Sequence, residues 1–352
     1  MATKIVKLNR QSPNDQALLQ ASDIIREGGL VIIPTETVYG IAADGSNKDV
    51  IKKLDAIKRR PDNKPYSLHI DEKDKLEGFV KDVPVTAYKL IDRFWPGPLT
   101  IIFKSALTGT IGVRLPDDPI ARRVIAMADV PVVCPSANIS GRIPAVSFDD
   151  AIKDLKDKVD FAIDAGDTML KKESTVVDVT VKPVKVLREG VIKESEILKV
   201  VNTKIVLFVC TGNSCRSVMA QELLRKKLRD SRRTDVEVLS AGLMMADGMA
   251  ASFETKKLLA DEGIDVSRHR SRRITKDFLN KADIVLVMEG AQEHRILQMH
   301  PAVKNRLFLL KEFARVDGND LNIPDPMGRD MRFYENTIGI IKEAVEKVSQ
   351  II

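Results

Sequence analysis

The stretch Lys204–Ser217, KIVLFVCTGNSCRS, constrains this chain more than any other. Ile205–Val209 is an unbroken β-rich apolar run, which predicts a buried strand. The strand ends at Cys210, and a short loop with Gly212 and Asn213 leads to Arg216. Val218, Met219, Leu223, Leu224 and Leu228 then recur at helical spacing, with Ser217 placed to cap that helix. A loop entering a helix N-terminus turns several backbone N–H groups inward and adds the positive end of the helix dipole. Thr211, Gly212, Asn213, Ser214 and Cys215 form such a phosphate loop, and Arg216 can clamp two phosphate oxygens. Cys210 lies in the same field, which favours thiolates, so it is the candidate nucleophile for phosphoryl transfer.

From this loop onward the chain resembles the low-molecular-weight protein-tyrosine phosphatases and the bacterial protein-arginine phosphatases related to them. The likeness continues through SAG at Ser240–Gly242, ADIVLVM at Ala282–Met288 and IPDPM at Ile323–Met327. It implies Cys210 as nucleophile, Arg216 as phosphate clamp and Ser217 as hydrogen-bond partner of the thiolate. Asp325, stiffened between Pro324 and Pro326, is the implied general acid; it would then activate water against the cysteinyl phosphate. Tyrosine-directed members carry aromatic residues after the Asp-Pro, where this chain has Met327-Gly328. Ser214 is the small hydroxyl residue of the arginine-directed relatives. Both details lean towards phosphoarginine over phosphotyrosine. Val218 and Gln221 depart from the usual proline and acidic residue. Cys215 is close enough in sequence to trap an oxidised Cys210 as a disulfide.

At 352 residues the chain suits two domains, and 44% hydrophobic residues can build two cores. The net charge of +6 suits anionic ligands without marking a nucleic-acid binder. Cys134, Cys210 and Cys215 are too sparse for a disulfide framework and have no zinc-type spacing, which points to a reducing cytoplasm. MATKIVKLNR lacks the apolar core of a signal peptide. No apolar run approaches the roughly 20 residues of a membrane span, so no membrane partner is expected.

In the first half, Asp15–Glu27 and Asp49–Ile57 read as helices, and Leu30–Ile33, Thr100–Phe103 and Val130–Val133 as strands, with Gly109–Arg114 leading into VRLPDDP. Pro34–Gly40 after the first of these strands is binding-loop material or an ordinary turn. Lys58, Arg59 and Arg60 are a dipole-complementing helix end or a site stiffened by Pro61 and Pro65. Cys134–Gly141 places small hydroxyl and amide groups after a strand, where they line clefts or form turns.

Together these runs resemble the YrdC-like family, the threonylcarbamoyl-adenylate synthases of tRNA modification. The carriers are PTETVYG, Lys58-x-Arg60 with KP behind it, SLHI, VRLP, PSANISG, STVVD and LREG, in the family's order over roughly residues 5–195. The resemblance implies that L-threonine, bicarbonate and ATP give threonylcarbamoyl-adenylate and diphosphate, for a downstream tRNA threonylcarbamoyl-transfer machinery. It assigns Thr35, His69, Arg114, Ser136 and Ser174 to threonine. Lys58, Arg60, Lys64, Thr110, Cys134, Asn138, Pro144 and Arg188 go to the nucleotide. Magnesium is expected with the triphosphate rather than in a dedicated protein site. Attack of a carbamate on the α-phosphorus needs positioned cations and donors more than a covalent nucleophile. Longer members carry a C-terminal domain on a linker that closes over the site; here a phosphatase-like segment stands in that place. The competing reading is an RNA-binding module for tRNA or double-stranded RNA, attached to a phosphatase or phospho-sensor.

The expected architecture is α/β throughout. Residues 1–198 form a YrdC-like twisted open sheet with helices, and 203–352 a Rossmann-like parallel four-stranded sheet with helices on both faces. Val236–Leu239, Asp283–Met288 and Arg306–Leu309 supply its other strands, and Phe253–Glu262 and Phe333–Val348 two of its helices. Glu194–Asn202 reads as a polar-edged junction, and Arg268–Arg273 as a solvated basic face or a docking patch for acidic protein substrates.

Overall fold

A computed structural model describes residues 2–60, 65–107, 109–244 and 247–352. The chain divides into two compact units, Met1–Val201 and Asn202–Ile352. Among the described residues no helix is long and apolar enough to cross a membrane.

The first unit is built on one mixed sheet. Its strands are β1 Lys4–Lys7, β2 Val31–Ile33, β3 Gly40–Asp44, β4 Leu68–His69, β5 Val80–Lys81, β6 Leu99–Ser105, β7 Thr110–Arg114, β8 Val132–Val133, β9 Phe161–Asp164, β10 Thr175–Asp178 and β11 Lys185–Arg188. They lie in the order β1-β9-β2-β3-β8-β4-β7-β6-β10-β11, with β5 on the flank of β6. The two-residue period of a strand explains how both faces are covered. Val31 and Ile33 pack on one side against Leu18, Ala21 and Ile25 of the helix Asp15–Arg26. Ile32 points the other way, into a cluster with Val50 and Leu54 of the helix Lys48–Lys58. Asn14 caps the first helix by accepting from Ala17 N at 3.2 Å. Arg59 ends the second in the left-handed conformation, φ +50°.

The stretch 194–202, expected as a plain junction, is a helix. Ile197 is fully buried among Leu90, Ile91 and Val177, so this helix closes the core of the first unit. Its polar residues occupy the outer face, and that outer face dominated the sequence pattern.

The second unit is a four-stranded parallel sheet: β12 Lys204–Cys210, β13 Val236–Gly242, β14 Ile284–Val287 and β15 Leu307–Leu309, in the order β13-β12-β14-β15. Val206 and Phe208 face the helices Arg216–Asp230 and Met331–Ile351, while Ile205, Leu207 and Val209 face the opposite side with Leu279 and Ile296. After β12 the chain crosses to β13 on one side, then to β14 on the other. That reversal opens a crevice at the carboxyl ends of the strands. Cys210 sits there as the last residue of β12.

Candidate functional site

In the first unit a cavity of about 720 Å³ opens among the ends of β3, β4, β7, β8, β10 and β11. That is within the usual range for small-molecule sites. Thr35, His69, Arg114, Ser136, Ser174, Lys58, Arg60, Cys134, Asn138, Pro144 and Arg188 all line it. They come from seven separate sequence runs, so the sheet order does the gathering. Thr110 shares a face of β7 with Arg114 but begins that strand, roughly 13 Å away at ~3.3 Å per residue. It is exposed and does not line the cavity. Lys64 lies outside the described residues.

The cations hold the cleft together before any ligand arrives. Lys58, 2% exposed, donates from Nζ to Ser136 O at 2.5 Å and Asn138 O at 2.7 Å. Lys58 therefore braces the Ser136–Asn138 turn rather than projecting free. Burial, with Arg60 nearby, pulls its pKa down to about 8. Ser136 Oγ donates to Asn138 Oδ1 at 2.5 Å, and Asn138 Nδ2 to Arg142 O at 2.6 Å. Arg60 lies 4.1 Å over the Tyr66 ring and donates to Pro65 O at 2.9 Å. Arg188 wraps Ser174: Nε and Nη2 donate to its carbonyl at 3.1 and 2.9 Å, and Nη1 pairs with Glu173 at 2.5 Å.

His69, assigned to threonine by the family resemblance, is buried in the cavity wall. Burial and the neighbouring Arg114 push its pKa down to about 3, so it is a neutral imidazole at ordinary pH. Burial pushes the Cys134 thiol up to about 12, so this cysteine contacts ligands as an apolar surface. Gly40 exists for the same wall: a Cβ there would stand 2.3 Å from Cys134 Sγ. Sequence reasoning missed Glu36 and Thr37, which grip Arg114 at 2.7 and 2.8 Å. The signal was present in the PTETVYG run, but nothing local says that Glu36 meets a residue on β7.

The second unit presents a smaller and tighter site. Cys210 Sγ lies 3.0 Å from Ser217 Oγ and accepts from Asn213 N at 3.3 Å. Asn213 is fully buried at φ +52°, and its Nδ2 donates to Ser217 Oγ at 3.0 Å and Ser240 Oγ at 2.8 Å. Arg272 N donates to Asn213 Oδ1 at 3.0 Å, and His269 Nε2 lies 2.8 Å from Asn213 O. The run 268–273 is therefore not simply a solvated face. His269 and the Arg272 backbone buttress the loop, while Arg270 remains exposed.

Ser217, expected as the helix cap, is instead the second helical residue. Cys215 is the N-cap, at φ −129° and ψ −92°. The helix starts earlier because the loop's turn is completed at Asn213, which leaves Ser217 free to face the sulfur. Cys215 Sγ lies 3.5 Å from Tyr334 Oη, and all three cysteines are unpaired thiols. Arg216, 1% exposed, donates to Ile323 O at 2.8 Å and forms ion pairs with Asp325 and Glu289. The guanidinium thus brings Asp325 to the loop across a long sequence gap. Glu289 went unread because it follows β14 and carries no local mark. Thr211 Oγ1 accepts from Gln292 Nε2 at 3.1 Å, and Gln292 Oε1 accepts from Met288 N at 2.9 Å.

Known proteins resemble the two halves separately. Residues 23–190 match the Sua5–YciO–YrdC family model, which is described as telomere recombination. Residues 205–352 match the low molecular weight phosphotyrosine protein phosphatase model. A threonylcarbamoyl-AMP synthase of Pyrococcus abyssi is 39% identical over 51% of this chain, which spans only 56% of that relative's length. A putative threonylcarbamoyl-AMP synthase of Methanocaldococcus jannaschii is 37% identical over 54% of this chain and 92% of its own. A protein-arginine-phosphatase of Geobacillus stearothermophilus is 36% identical over 41% of this chain and 93% of its own. Among solved structures, Pyrococcus abyssi Sua5 complexed with L-threonine superposes with a TM-score of 0.55 at 27% identity, over 75% of this chain and 91% of that one. The chain therefore belongs to both families, a Sua5–YciO–YrdC domain followed by a low molecular weight phosphatase domain.

Proposed function

We propose that the chain is a bifunctional enzyme. Its first unit joins L-threonine, bicarbonate and ATP into L-threonylcarbamoyl-adenylate for tRNA threonylcarbamoylation, releasing water as the amine and bicarbonate form the carbamate and diphosphate as the adenylate forms. Its second unit hydrolyses phosphorylated protein side chains through Cys210. The observation that carries the first half is the convergence of Lys58, Arg60, Arg114, Ser136, Ser174 and Arg188 on one cavity. Thr35, His69, Arg114, Ser136 and Ser174 take the amino acid; Lys58, Arg60, Cys134, Asn138, Pro144 and Arg188 take the nucleotide. Diphosphate leaves as the carbamate oxygen attacks the α-phosphorus, and the arginines meet the charge that grows on the phosphate oxygens. Glu173, the one carboxylate among the described lining residues, pairs with Arg188. Magnesium enters bound to the triphosphate. Purified protein should release diphosphate only when threonine, bicarbonate and ATP are all present. Release that ignores threonine, or none at all, removes the synthase assignment.

In the second unit, Cys210 attacks the phosphoryl group while Asn213, Ser217 and Arg216 hold the loop and its charge. The departing nitrogen or oxygen takes its proton from Asp325, and the same carboxylate then activates water to release phosphate. Phosphoarginine is the favoured substrate. Ser214 adds no branched bulk to the loop, and Met327-Gly328 offer no ring to sandwich a phenyl group. Both leave room for a planar guanidinium. The expected kcat/KM on a phosphoarginine protein exceeds that on a phosphotyrosine protein by at least about tenfold. Equal or inverted values in a side-by-side phosphate-release assay sink the preference while leaving the phosphatase chemistry standing.

A further inference from the structure

The ion pair between Arg114 and Glu36 has no adequate explanation in stability. The two side chains are 6% and 2% exposed. Buried pairs of this kind are often no more stable than well-packed apolar side chains. The pair is also incomplete, because Glu36 Oε2 is buried with no hydrogen-bond partner among the described residues. An unmet buried acceptor of that sort costs about 1–3 kcal/mol.

What the pair does achieve is geometry. Arg114 Nη2 spends one hydrogen on Glu36 Oε1 at 2.7 Å and the other on Thr37 Oγ1 at 2.8 Å. Nε donates to Gly97 O at 3.4 Å. These bonds leave Nη1, with two hydrogens, as the donor without a partner among the described residues. Arg114 lines the cavity, whereas Glu36 stands behind it and is not part of the lining. Two consecutive residues of one loop therefore clamp one edge of a guanidinium and leave the other edge for a ligand. The Glu36 charge also offsets that of Arg114, in a wall that already holds Arg188. A site with this balance suits a zwitterion with one carboxylate better than a multiply charged anion.

We propose that Glu36 is the positioning residue of the amino-acid side of the cleft. With Thr37 it fixes Arg114 so that Nη1 meets the α-carboxylate of the bound amino acid. The proposal rests on the synthase reading above. Its test is steady-state diphosphate release by the full chain, with threonine and ATP varied separately, for wild type, Glu36→Ala, Glu36→Gln and Thr37→Val. Glu36→Ala should raise the threonine KM at least about tenfold while the ATP KM stays within about twofold. Glu36→Gln keeps an acceptor for Nη2, so it should restore most of the loss; Thr37→Val should raise the threonine KM about threefold. Thermal melting identifies any variant that fails to fold. If Glu36→Ala does, Thr37→Val carries the test. A threonine KM within twofold of wild type in folded Glu36→Ala, or an unchanged one in Thr37→Val where Glu36→Ala does not fold, overturns the proposal, as do threonine and ATP constants that move together. A wild-type protein with no threonine-dependent release fails at the earlier step, and takes the synthase reading and this one down together.

Discussion

Cys210→Ser is expected to cut phosphatase turnover by at least about 10³-fold, with threonine-dependent diphosphate release unchanged. The loss follows from what the loop is built around. Asn213 N points at the sulfur from 3.3 Å and Ser217 Oγ lies 3.0 Å from it, an arrangement that serves a nucleophile carrying negative charge. A serine hydroxyl is a weak nucleophile without a base, and the hydrogen-bond partners of Cys210 Sγ among the described residues, Asn213 N and Ser217 Oγ, include no histidine. Packing changes little, since the substitution is nearly isosteric and the residue is only 3% exposed. Diphosphate release is expected to be unaffected because the cavity proposed for it lies wholly in the other unit. Hydrolysis of p-nitrophenyl phosphate by the serine variant at more than about a tenth of the wild-type rate would falsify the assigned nucleophile.

Lys58→Met should be nearly as severe for the synthase half, lowering kcat/KM for ATP at least about 10²-fold at modest cost in stability. Two terms of similar size oppose each other in the empty protein. Holding a charged lysine at a pKa near 8 instead of 10.5 costs roughly 3 kcal/mol, which the substitution relieves. Leaving the carbonyls of Ser136 and Asn138 without their donor costs about 1–3 kcal/mol each. Melting temperature therefore moves little, whereas the turn that carries both residues loses its anchor beside the nucleotide. The same lysine sets a pH dependence. Its folded pKa lies below its unfolded one, so between about 8 and 10.5 the unfolded chain binds more protons and the empty protein gains stability as pH rises. A bound triphosphate favours the charged lysine. ATP binding should therefore weaken above about pH 8 and take up a proton there, and Lys58→Met should abolish that uptake. Calorimetry in two buffers of different ionisation enthalpy reads this directly; equal heats sink the assignment.

The legible parts of both sites were those written in one run of sequence. Strand, loop and helix around Cys210 follow from apolar periodicity and turn residues, and they appear with boundaries shifted by a residue or so. The partners of those runs were illegible. Glu289 reaches Arg216, and Ser240 and His269 reach Asn213, only because β12 lies between β13 and β14. A strand order is a global property, and no local pattern encodes it. The misplaced helix cap has the same origin. Serine before an apolar helical pattern is a sound local signal, but the tertiary demand for a hydroxyl beside Cys210 outweighs it. The helix 194–202 was obscured because its single fully buried residue, Ile197, is too little to set a period.

Asn213 adopts a backbone shape for which glycine is the usual choice, and its side chain makes three hydrogen bonds that glycine cannot. Shape and chemistry are therefore locked into one residue type. Glycine would keep the bend and drop the tethers to two serines, aspartate would keep the bend and set a carboxylate beside the sulfur, and alanine would fail on both counts. Few sequence paths lead away from such a position, so drift in this loop has to happen around it.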